Sequence, residues 1–312
     1  MTDEDRRHMA HALALGQRGL GRVWPNPAVG CVIVRDGRVV GRGWTADGGR
    51  PHAETVALAG AGRAANGATA YVTLEPCSHQ GQTPPCADAL IKAGIARVVI
   101  GAGDPNPQVD GQGMAMLRAA GVEVTTGTLE AQAREANAGF LSLVNRSRPH
   151  LTLKLALSLD GRIATASGES RWITGPEARR FVHAMRARHD AVLVGGGTAR
   201  ADDPTLTVRD IGADRQPVRV VASRTLNLPW PNRLADTISE APVWITHGDA
   251  IGDTPEARRW SELGARLIPV TVAGSQLDPD NLLQSLGEIG LTRVLCEGGG
   301  ALAASFLAAG LV

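Results

Sequence analysis

Pro51-His52-Ala53-Glu54 begins the pattern that decides the fold, and it is followed after an apolar strand by Glu75-Pro76-Cys77 and then by Thr83-Pro84-Pro85-Cys86. One imidazole and two thiolates suit a tetrahedral Zn²⁺ whose fourth position stays open for water. Such a metal lowers the pKa of its water to about 7, and a nearby carboxylate can pass the released proton to a departing amine. The pattern predicts a zinc site with His52, Cys77 and Cys86 as ligands and Glu54 as the proton shuttle.

The spacing of this pattern restricts where its residues can lie. His52 and Glu54 are two positions apart, and residues at that spacing face different sides of a helix interior. They converge only where a helix starts, and Pro51 is of a type favoured in the first helical turn. Both cysteines lie between a strand and a helix predicted from about 85, where backbone N–H groups favour thiolates. The plainer alternative is a buried core histidine with packing cysteines, but the combined pattern favours a metal site.

The sequence around this pattern alternates between helix and strand signals. Apolar residues recur at helical spacing over 5–19, and segments 28–34 and 39–41 flank an Asp36-Gly37 turn typical of a β-hairpin. Helices are then predicted near 52–60, 85–93 and 113–120, with strands at 70–74, 98–100 and 122–125. This alternation predicts a compact α/β/α domain over residues 1–145.

A second alternating series begins after the polar, turn-prone segment 145–149, which marks the predicted domain boundary. Its predicted strands are 151–157, 191–194, 218–222, 243–246, 267–272 and 293–296, and its predicted helices are 176–188, 255–264 and 280–289. The series predicts a second α/β domain over 150–312, with a mainly parallel sheet covered by helices.

Length and composition exclude several classes of protein. The 312 residues suffice for two domains of about 150 residues each. A net charge of +1 and few aromatic residues argue against nucleic acid or anionic lipid as partners. The N-terminus is acidic where a signal peptide is basic, and no apolar stretch reaches the roughly 20 residues of a membrane helix. The four cysteines are too sparse for a disulfide framework, so we expect a cytoplasmic protein with reduced thiols.

Two glycine clusters follow strands of the second domain. They are Val194-Gly195-Gly196-Gly197-Thr198 and Glu297-Gly298-Gly299-Gly300. No Gly-x-Gly-x-x-Gly follows the first strand, so a Rossmann dinucleotide site is not indicated. Glycines at strand-to-helix junctions let the backbone approach a phosphate, although such clusters are more often plain turns.

The first half resembles the cytidine deaminase superfamily in its His-x-Glu and Pro-Cys elements, His52-Ala53-Glu54 and Pro76-Cys77. It departs from the commonest form because eight residues separate its two cysteines. Together with segments 25–30 and 104–109, this longer loop is similar to the deaminase half of the RibD family, the bifunctional deaminase/reductases of riboflavin biosynthesis. The resemblance implies zinc-dependent hydrolysis of the 2-amino group of 2,5-diamino-6-ribosylamino-4(3H)-pyrimidinone 5′-phosphate.

The resemblance also implies substrate contacts in this half. Asn26 would hydrogen-bond the pyrimidine ring, although an Asn between two prolines can equally be a turn residue. Family members commonly carry a Lys or Arg at position 82 that can meet the substrate phosphate, whereas this sequence has Gln82. Gln82 cannot supply charge to that contact.

The second half is similar to the reductase half of the same family, in Ser158-Leu159-Asp160-Gly161-Arg162, in the run 201–209 and in Glu297-Gly298-Gly299. That half has a dihydrofolate-reductase-like α/β fold. The resemblance implies NADPH as cofactor and reduction of the ribosyl group to a ribityl chain, with hydride delivered at the anomeric carbon of the sugar.

Motif positions carry the cofactor and substrate contacts of the family onto this sequence. The implied cofactor contacts are Ala156, Trp172, Thr198, Asp202, Ser223, Gly299, Gly300, Ala301 and Leu302. The implied substrate contacts are Ser170, Arg186 and Arg209 on the sugar phosphate, Leu206 alongside, and Glu297 on the sugar. Guanidinium forks suit phosphate oxygens, although these arginines can also be ordinary surface charge. Asp202 can relay a proton or only cap a turn, and Lys154 in an apolar strand is a secondary site candidate.

Segment 301–312 stops where the family continues with further strands, so we expect either a trimmed sequence or an incomplete reductase sheet with an exposed edge. The resemblance also implies a small-molecule substrate and a homo-oligomer built through the second domain.

One rival hypothesis keeps the deaminase and makes the second domain a structural or oligomerising module. A second rival, a nucleic-acid-editing deaminase, is disfavoured by the near-zero net charge and the low aromatic content. A third, a non-catalytic zinc protein, is disfavoured because Glu54 is present and because structural zinc sites use four protein ligands where this pattern offers three.

Overall fold

A computed structural model describes residues 2–81, 84–170 and 172–312 of the chain. The chain forms two compact units, Met1–Arg146 and Ser147–Val312, and each has its own large sheet. Among the described residues, no helix is both long and apolar enough to cross a membrane.

The first unit alternates helices and strands around a mixed sheet. Its elements are α1 (Asp3–Gly16), β1 (Gly30–Arg35), β2 (Arg38–Trp44), α2 (Ala53–Ala61), β3 (Thr69–Leu74), α3 (Cys86–Lys92), β4 (Arg97–Ala102), α4 (Gln112–Ala119), β5 (Glu123–Thr126), α5 (Glu130–Ala136) and α6 (Ala138–Arg146). The strand order is β2-β1-β3-β4-β5, with β1 antiparallel to both neighbours and β3, β4 and β5 parallel. The predicted α/β organisation is confirmed, and α5 and α6 are helices that the sequence pattern did not indicate.

Glycine geometry builds the part of this unit that carries the metal pattern. The predicted hairpin turns at Asp36 and Gly37, whose φ angles of 50° and 72° suit a two-residue turn between β1 and β2. On β2, a Cβ added to Gly43 would lie 2.2 Å from the carbonyl oxygen of Ala53. Only glycine permits this approach, so the close packing of α2 on β2 sets the position of the first turn of α2.

The second unit is built on a parallel sheet. Its elements are β6 (His150–Leu153), α7 (Pro176–Ala187), β7 (Ala191–Gly195), α8 (Gly196–Asp202), β8 (Val218–Ala222), α9 (Arg233–Asp236), β9 (Val243–Gly248), α10 (Pro255–Glu262), β10 (Arg266–Val270), β11 (Val272–Ala273), β12 (Gln276–Leu277), α11 (Pro279–Glu288), β13 (Arg293–Gly298) and α12 (Gly300–Ala308). The strand order is β10-β9-β8-β7-β13-β6, and every pairing in it is parallel, as predicted. The short strands β11 and β12 pair separately as an antiparallel ribbon.

A buried carboxylate aligns the two central strands β7 and β13. Asp190 precedes β7 and is 2% exposed. Its Oδ2 accepts hydrogen bonds from the backbone N–H and the hydroxyl of Thr292, both at 2.7 Å, and from Arg293 N–H at 2.8 Å. Because parallel strands that start together also end together, this clamp brings the carboxyl ends of β7 and β13, each followed by a glycine cluster, to one edge of the sheet.

The first strand of the second unit is shorter than its apolar pattern predicts. The pattern indicates a strand over 151–157, but β6 ends at Leu153, which pairs with Cys296. β13 shifts register between Cys296 and Gly298, so its regular hydrogen-bond ladder stops there. Beyond β6 the chain is irregular, and Leu155 and Leu157 are 37% and 43% exposed. The prediction was wrong over 154–157 because alternating apolar residues without a pairing partner do not form a strand.

Candidate metal centre and reductase clefts

Three predicted ligands meet in the first unit. The ligand atoms of His52, Cys77 and Cys86 all lie within 4.8 Å of one another. His52 Nδ1 lies 3.3 Å from the Cys86 sulfur and 3.7 Å from the Cys77 sulfur. Zinc bonds of about 2.1 Å to nitrogen and 2.3 Å to sulfur, at tetrahedral angles, place ligand atoms about 3.6 Å apart. The donor types and their spacing therefore fit zinc with one position left open.

The ends of three elements position these ligands. His52 is the N-cap residue of α2 with an extended backbone, Cys77 follows β3, and Cys86 is the first residue of α3. The Cys86 backbone N–H donates to the Cys77 sulfur at 3.3 Å, as expected where a helix N-terminus faces a thiolate. His52 and Glu54 thus converge at a helix start, as predicted, although Pro51 lies before the N-cap and not inside the first turn.

The two cysteines shift each other's pKa in opposite directions. A hydrogen bond from the Cys86 thiol lowers the pKa of Cys77 to about 4, and the same bond raises the pKa of Cys86. The hydrogen bond to Cys77 also raises the pKa of His52. The lowered pKa of Cys77 favours its thiolate, the form that binds zinc, and zinc binding would release the remaining protons from this cluster.

Glu54 lies beside this cluster with an altered affinity for protons. Its side chain is in the first turn of α2 and is 4% exposed. Burial raises its pKa to about 7, with the Cys77 charge adding to the effect. A carboxyl group that gains and loses its proton near neutral pH can serve as both acceptor and donor.

A pocket of about 150 Å³ opens beside these residues, and its lining includes His52, Glu54 and Cys77. Predicted residue Asn26 also lines it. A Cβ added to Gly49 would lie 2.0 Å from Asn26 Nδ2, so a glycine is required at 49 for this amide to hold its place. Arg50 lines the same pocket. The sequence did not indicate a role for it, because it belongs to no motif and is distinguished only by its position before Pro51.

The far wall of this pocket is held by Glu75, another residue whose role the sequence did not indicate. Its carboxylate is 4% exposed and accepts backbone hydrogen bonds from Gly111 at 3.2 Å and Met114 at 3.1 Å. These bonds attach the start of α4 to the segment that carries Cys77. Asp104 lines the pocket nearby, and burial raises its pKa to about 6.

The two glycine clusters of the second unit meet in a cleft of about 330 Å³, which we call the glycine cleft. A Cβ added to Gly299, whose φ is +87°, would lie 3.1 Å from the Thr198 hydroxyl. Five of the residues implied as cofactor contacts line this cleft: Thr198, Ser223, Gly299, Ala301 and Leu302. Arg200 and Arg224 line it as well and were not indicated by the sequence.

A second cleft, of about 540 Å³, is lined by several cationic side chains, and we call it the basic cleft. Its lining includes Lys154, Arg179, Arg180, His183, Arg186, Arg209 and Glu297. Arg186 donates from Nε and Nη2 to the Glu297 carboxylate, the latter at 2.8 Å, and from Nη1 to the Thr207 carbonyl at 2.7 Å. Arg209 Nη1 donates to the hydroxyls of Thr205 and Thr207. Two arginines are thus held beside each other over one cleft.

Other implied contacts of the second unit lie outside the glycine cleft. Trp172 lines the basic cleft, with the guanidinium of Arg179 4.3 Å from its ring centre. Asp202 is exposed at the end of α8, and Ala156 is half-buried in the irregular segment after β6. Gly300 begins α12 without lining either cleft.

Two implied substrate contacts also lie outside the clefts. Ser170 is exposed in an irregular segment. Leu206 is 3% exposed in the apolar core, with a positive φ of 57°.

Gln82 lies outside the described residues. The two remaining cysteines, Cys31 and Cys296, are fully buried.

Comparisons with known proteins divide the chain in the same way. Residues 2–102 match the cytidine and deoxycytidylate deaminase zinc-binding region, and residues 149–312 match the RibD C-terminal domain. The chain is 44% identical over 99% of its length to the riboflavin biosynthesis protein RibD of Escherichia coli (strain K12), of which it covers 85%. The corresponding Aquifex aeolicus protein is 42% identical over 98% of the chain, which covers 84% of that protein.

Solved structures support the same assignment. RibD of Acinetobacter baumannii is 42% identical with a TM-score of 0.86, over 99% of this chain and 84% of that one. A diaminohydroxyphosphoribosylaminopyrimidine deaminase/5-amino-6-(5-phosphoribosylamino)uracil reductase of Thermotoga maritima is 38% identical with a TM-score of 0.85, over 98% and 84% of the two chains. At this identity over nearly its whole length, and with both family domains in the same order, the chain belongs to the RibD family of bifunctional deaminase/reductases.

Proposed function

We propose that this enzyme catalyses two successive steps of riboflavin biosynthesis. The first unit hydrolyses the 2-amino group of 2,5-diamino-6-ribosylamino-4(3H)-pyrimidinone 5′-phosphate, and the second unit reduces the ribosyl group of the product to a ribityl chain with NADPH. The observation that carries the proposal is the coexistence of the His52, Cys77 and Cys86 cluster, beside buried Glu54, with the glycine and basic clefts in one chain.

In the deamination step, bound zinc would activate water as a nucleophile at neutral pH. Glu54 accepts a proton from the water that attacks C2 of the pyrimidinone and donates it to the departing amino group, which leaves as ammonia. Burial raises the pKa of Glu54, which helps the carboxylate accept the proton that it later donates. The Asn26 amide, at the pocket wall, donates to and accepts from the ring, because an amide offers both kinds of group.

In the reduction step, bound NADPH would supply a hydride to C1′ of the sugar, and the bond between C1′ and the sugar ring oxygen would break as that oxygen takes a proton. Thr198, Ser223 and the backbone N–H groups at the start of α12 bind the cofactor in the glycine cleft. Arg186 and Arg209 hold the sugar phosphate in the basic cleft, and Glu297 contacts the sugar hydroxyls. Ala156 and Trp172 contact the cofactor only after the irregular segment after β6 closes over it, and Asp202 contacts it from the end of α8.

The enzyme acts on a small molecule and, in this proposal, forms a homo-oligomer through its second unit. The irregular segment after β6 supports that arrangement because it exposes four apolar side chains, Leu155, Leu157, Leu159 and Ile163. We place the enzyme in the cytoplasm, where a reducing environment keeps its two ligand cysteines available for zinc.

The proposal is tested by supplying the diaminopyrimidinone ribosyl phosphate to the purified zinc-loaded protein, with and without NADPH, and by separating the products. We expect ammonia release under both conditions and NADPH oxidation only after deamination has begun. Ammonia release without any NADPH oxidation would favour the rival hypothesis, in which the second unit is structural.

A further inference from the structure

The deaminase pocket poses a charge problem for the substrate proposed above. That substrate carries a phosphate group, yet the pocket is lined by the carboxyl groups of Glu54, Glu75 and Asp104. A phosphate among carboxylates is repelled unless a cation offsets them. The cysteine loop, residues 78–85, contains no Lys or Arg in the sequence to supply that cation.

Arg50 is the one Lys or Arg among the described residues that line this pocket. It is half-buried and lies two residues before the ligand His52. Two residues of extended chain span at most about 7 Å, so Arg50 enters the pocket close to the metal cluster. A ring that reacts at this cluster would therefore carry its substituents within reach of the arginine side chain.

The Arg50 guanidinium points toward the cysteine loop. A Cβ added to Gly81 would lie 3.4 Å from Arg50 Nη2, so the side chain reaches from the start of α2 to this loop. His79, on the same loop, also lines the pocket, and its Nδ1 is buried with no hydrogen-bond partner among the described residues. A buried imidazole nitrogen without a partner is costly unless a ligand supplies one.

We infer that Arg50 binds the substrate 5′-phosphate in the deaminase pocket, with His79 Nδ1 as a second contact, and so makes the deaminase selective for phosphorylated substrate. The planar fork of arginine matches two phosphate oxygens, which a point charge does not. The inference rests on the proposed deamination. It makes Arg50, a side chain outside the metal motif, the residue that distinguishes the phosphorylated substrate from its free riboside.

The test compares ammonia release from the phosphorylated substrate and from its dephosphorylated riboside. Arg50→Gln is expected to raise KM for the phosphorylated substrate by about 10- to 100-fold, the value of a charge-assisted contact. Its kcat, its zinc content and its kcat/KM for the riboside are expected to match the wild type. Arg63→Gln, an exposed arginine of the same unit, is the matched control and is expected to change none of these.

A second variant moves the cation without restoring Arg50. Gly81 has an ordinary backbone φ, and a side chain there meets Arg50 at normal contact distance, so Gly81→Lys in the Arg50→Gln background fills the vacated space. We expect it to lower the raised KM at least severalfold. A variant that had only misfolded the pocket is not rescued in this way.

Three results would overturn the inference. Equal losses on both substrates, or loss of zinc from Arg50→Gln, would make Arg50 a positioning residue for His52. Equal kcat/KM of the wild-type enzyme for the nucleotide and the riboside would leave the deamination standing and remove the phosphate contact. Failure of the zinc-loaded wild type to release ammonia from either compound would overturn the proposed function itself, and the inference with it.

Discussion

The two units differ in how completely their sites are assembled without ligands. In the first unit, three zinc ligands from the ends of α2, β3 and α3 already lie within 4.8 Å of one another. In the second, the implied contacts are divided between the glycine cleft, the basic cleft and the irregular segment after β6. Ligands that the fold already holds together need little rearrangement when a metal binds, whereas a cleft for two large substrates must stay open until they enter.

The largest effect is expected from removing a zinc ligand. Cys86→Ala should weaken zinc binding by more than about 100-fold. Loss of a residue that only hydrogen-bonds a metal ligand can already cost about that much, and Cys86 is itself a ligand. Ammonia release should fall to background while NADPH-dependent reduction of preformed aminouracil substrate continues. Metal analysis and separate assays of the two activities test this. Cys31→Ala is the control, because that cysteine is fully buried outside the cluster. Loss of both activities in Cys86→Ala would show that the two sites do not work independently.

Glu54→Gln should lower the deamination rate by about 10²- to 10⁴-fold, the usual contribution of a general acid–base group. The amide keeps the shape of the side chain but cannot carry a proton, so zinc content and reduction should not change. Assays of ammonia release and zinc content measure the effect. Glu130→Gln, an exposed carboxylate on α5, provides the comparison. If Glu54→Gln loses its zinc, Glu54 supports the metal site and is not the proton shuttle.

In the basic cleft, Arg209→Gln should raise KM for the reductase substrate by about 10- to 100-fold through loss of a charge-assisted phosphate contact. Arg209 is the better variant because Arg186 is tied to Glu297, and removing one member of a buried pair costs about 3–5 kcal/mol. Steady-state reduction assays measure the change. Arg258→Gln, in an exposed ion pair with Asp253, is the control. An unchanged KM would place the phosphate elsewhere.

In the glycine cleft, Arg224→Ser should lower the preference for NADPH over NADH by about tenfold. Arg224 directly follows Ser223 and lines the cleft, where its guanidinium can pair with the phosphate that distinguishes the two cofactors. The ratio of kcat/KM for NADPH to that for NADH is the measurement. The value for NADH serves as the internal control, and a parallel fall in both would indicate a damaged cleft.

The smallest effect concerns the irregular segment after β6. If it closes over the cofactor, NADPH should slow amide hydrogen exchange severalfold over 154–170, while exchange around Cys77 stays unchanged. Mass spectrometry of peptides from both segments tests the difference between the units directly. Equal protection of the two segments would contradict a site that is completed only by its ligand.

Much of the first site could be predicted because its chemistry is local. Few functions other than zinc binding and proton transfer need this order of residue types: His52, Glu54, Cys77 and Cys86. Each of the four also lies at the end of a helix or strand that the sequence predicts. Arg50 was missed because a single arginine before a proline has no such pattern. Its role depends on which side chains surround it, and that is a result of tertiary packing.

The second unit was harder to predict for a physical reason. Its parallel sheet followed from apolar strand runs, but α8 begins at Gly196 and Gly197, residues of low helix propensity, and was not indicated. Segment 154–157 has an apolar alternation typical of a strand, yet it lacks a strand partner where β13 shifts register. Trp172 lines the basic cleft and not the glycine cleft. The periodicity of a sequence does not show which cleft a side chain on an irregular segment faces.

The central claim is that one chain carries out both reactions on the same molecule, and isotope labelling tests it most directly. The wild-type enzyme is supplied with the diaminopyrimidinone ribosyl phosphate, NADPH deuterated at both hydrogens of nicotinamide C4, and oxygen-18-labelled water, and the product is examined by mass spectrometry. The account predicts one product that contains oxygen-18 at the new ring carbonyl and deuterium at C1′ of the ribityl chain. A product with oxygen-18 but no deuterium, formed with NADPH present, would contradict it.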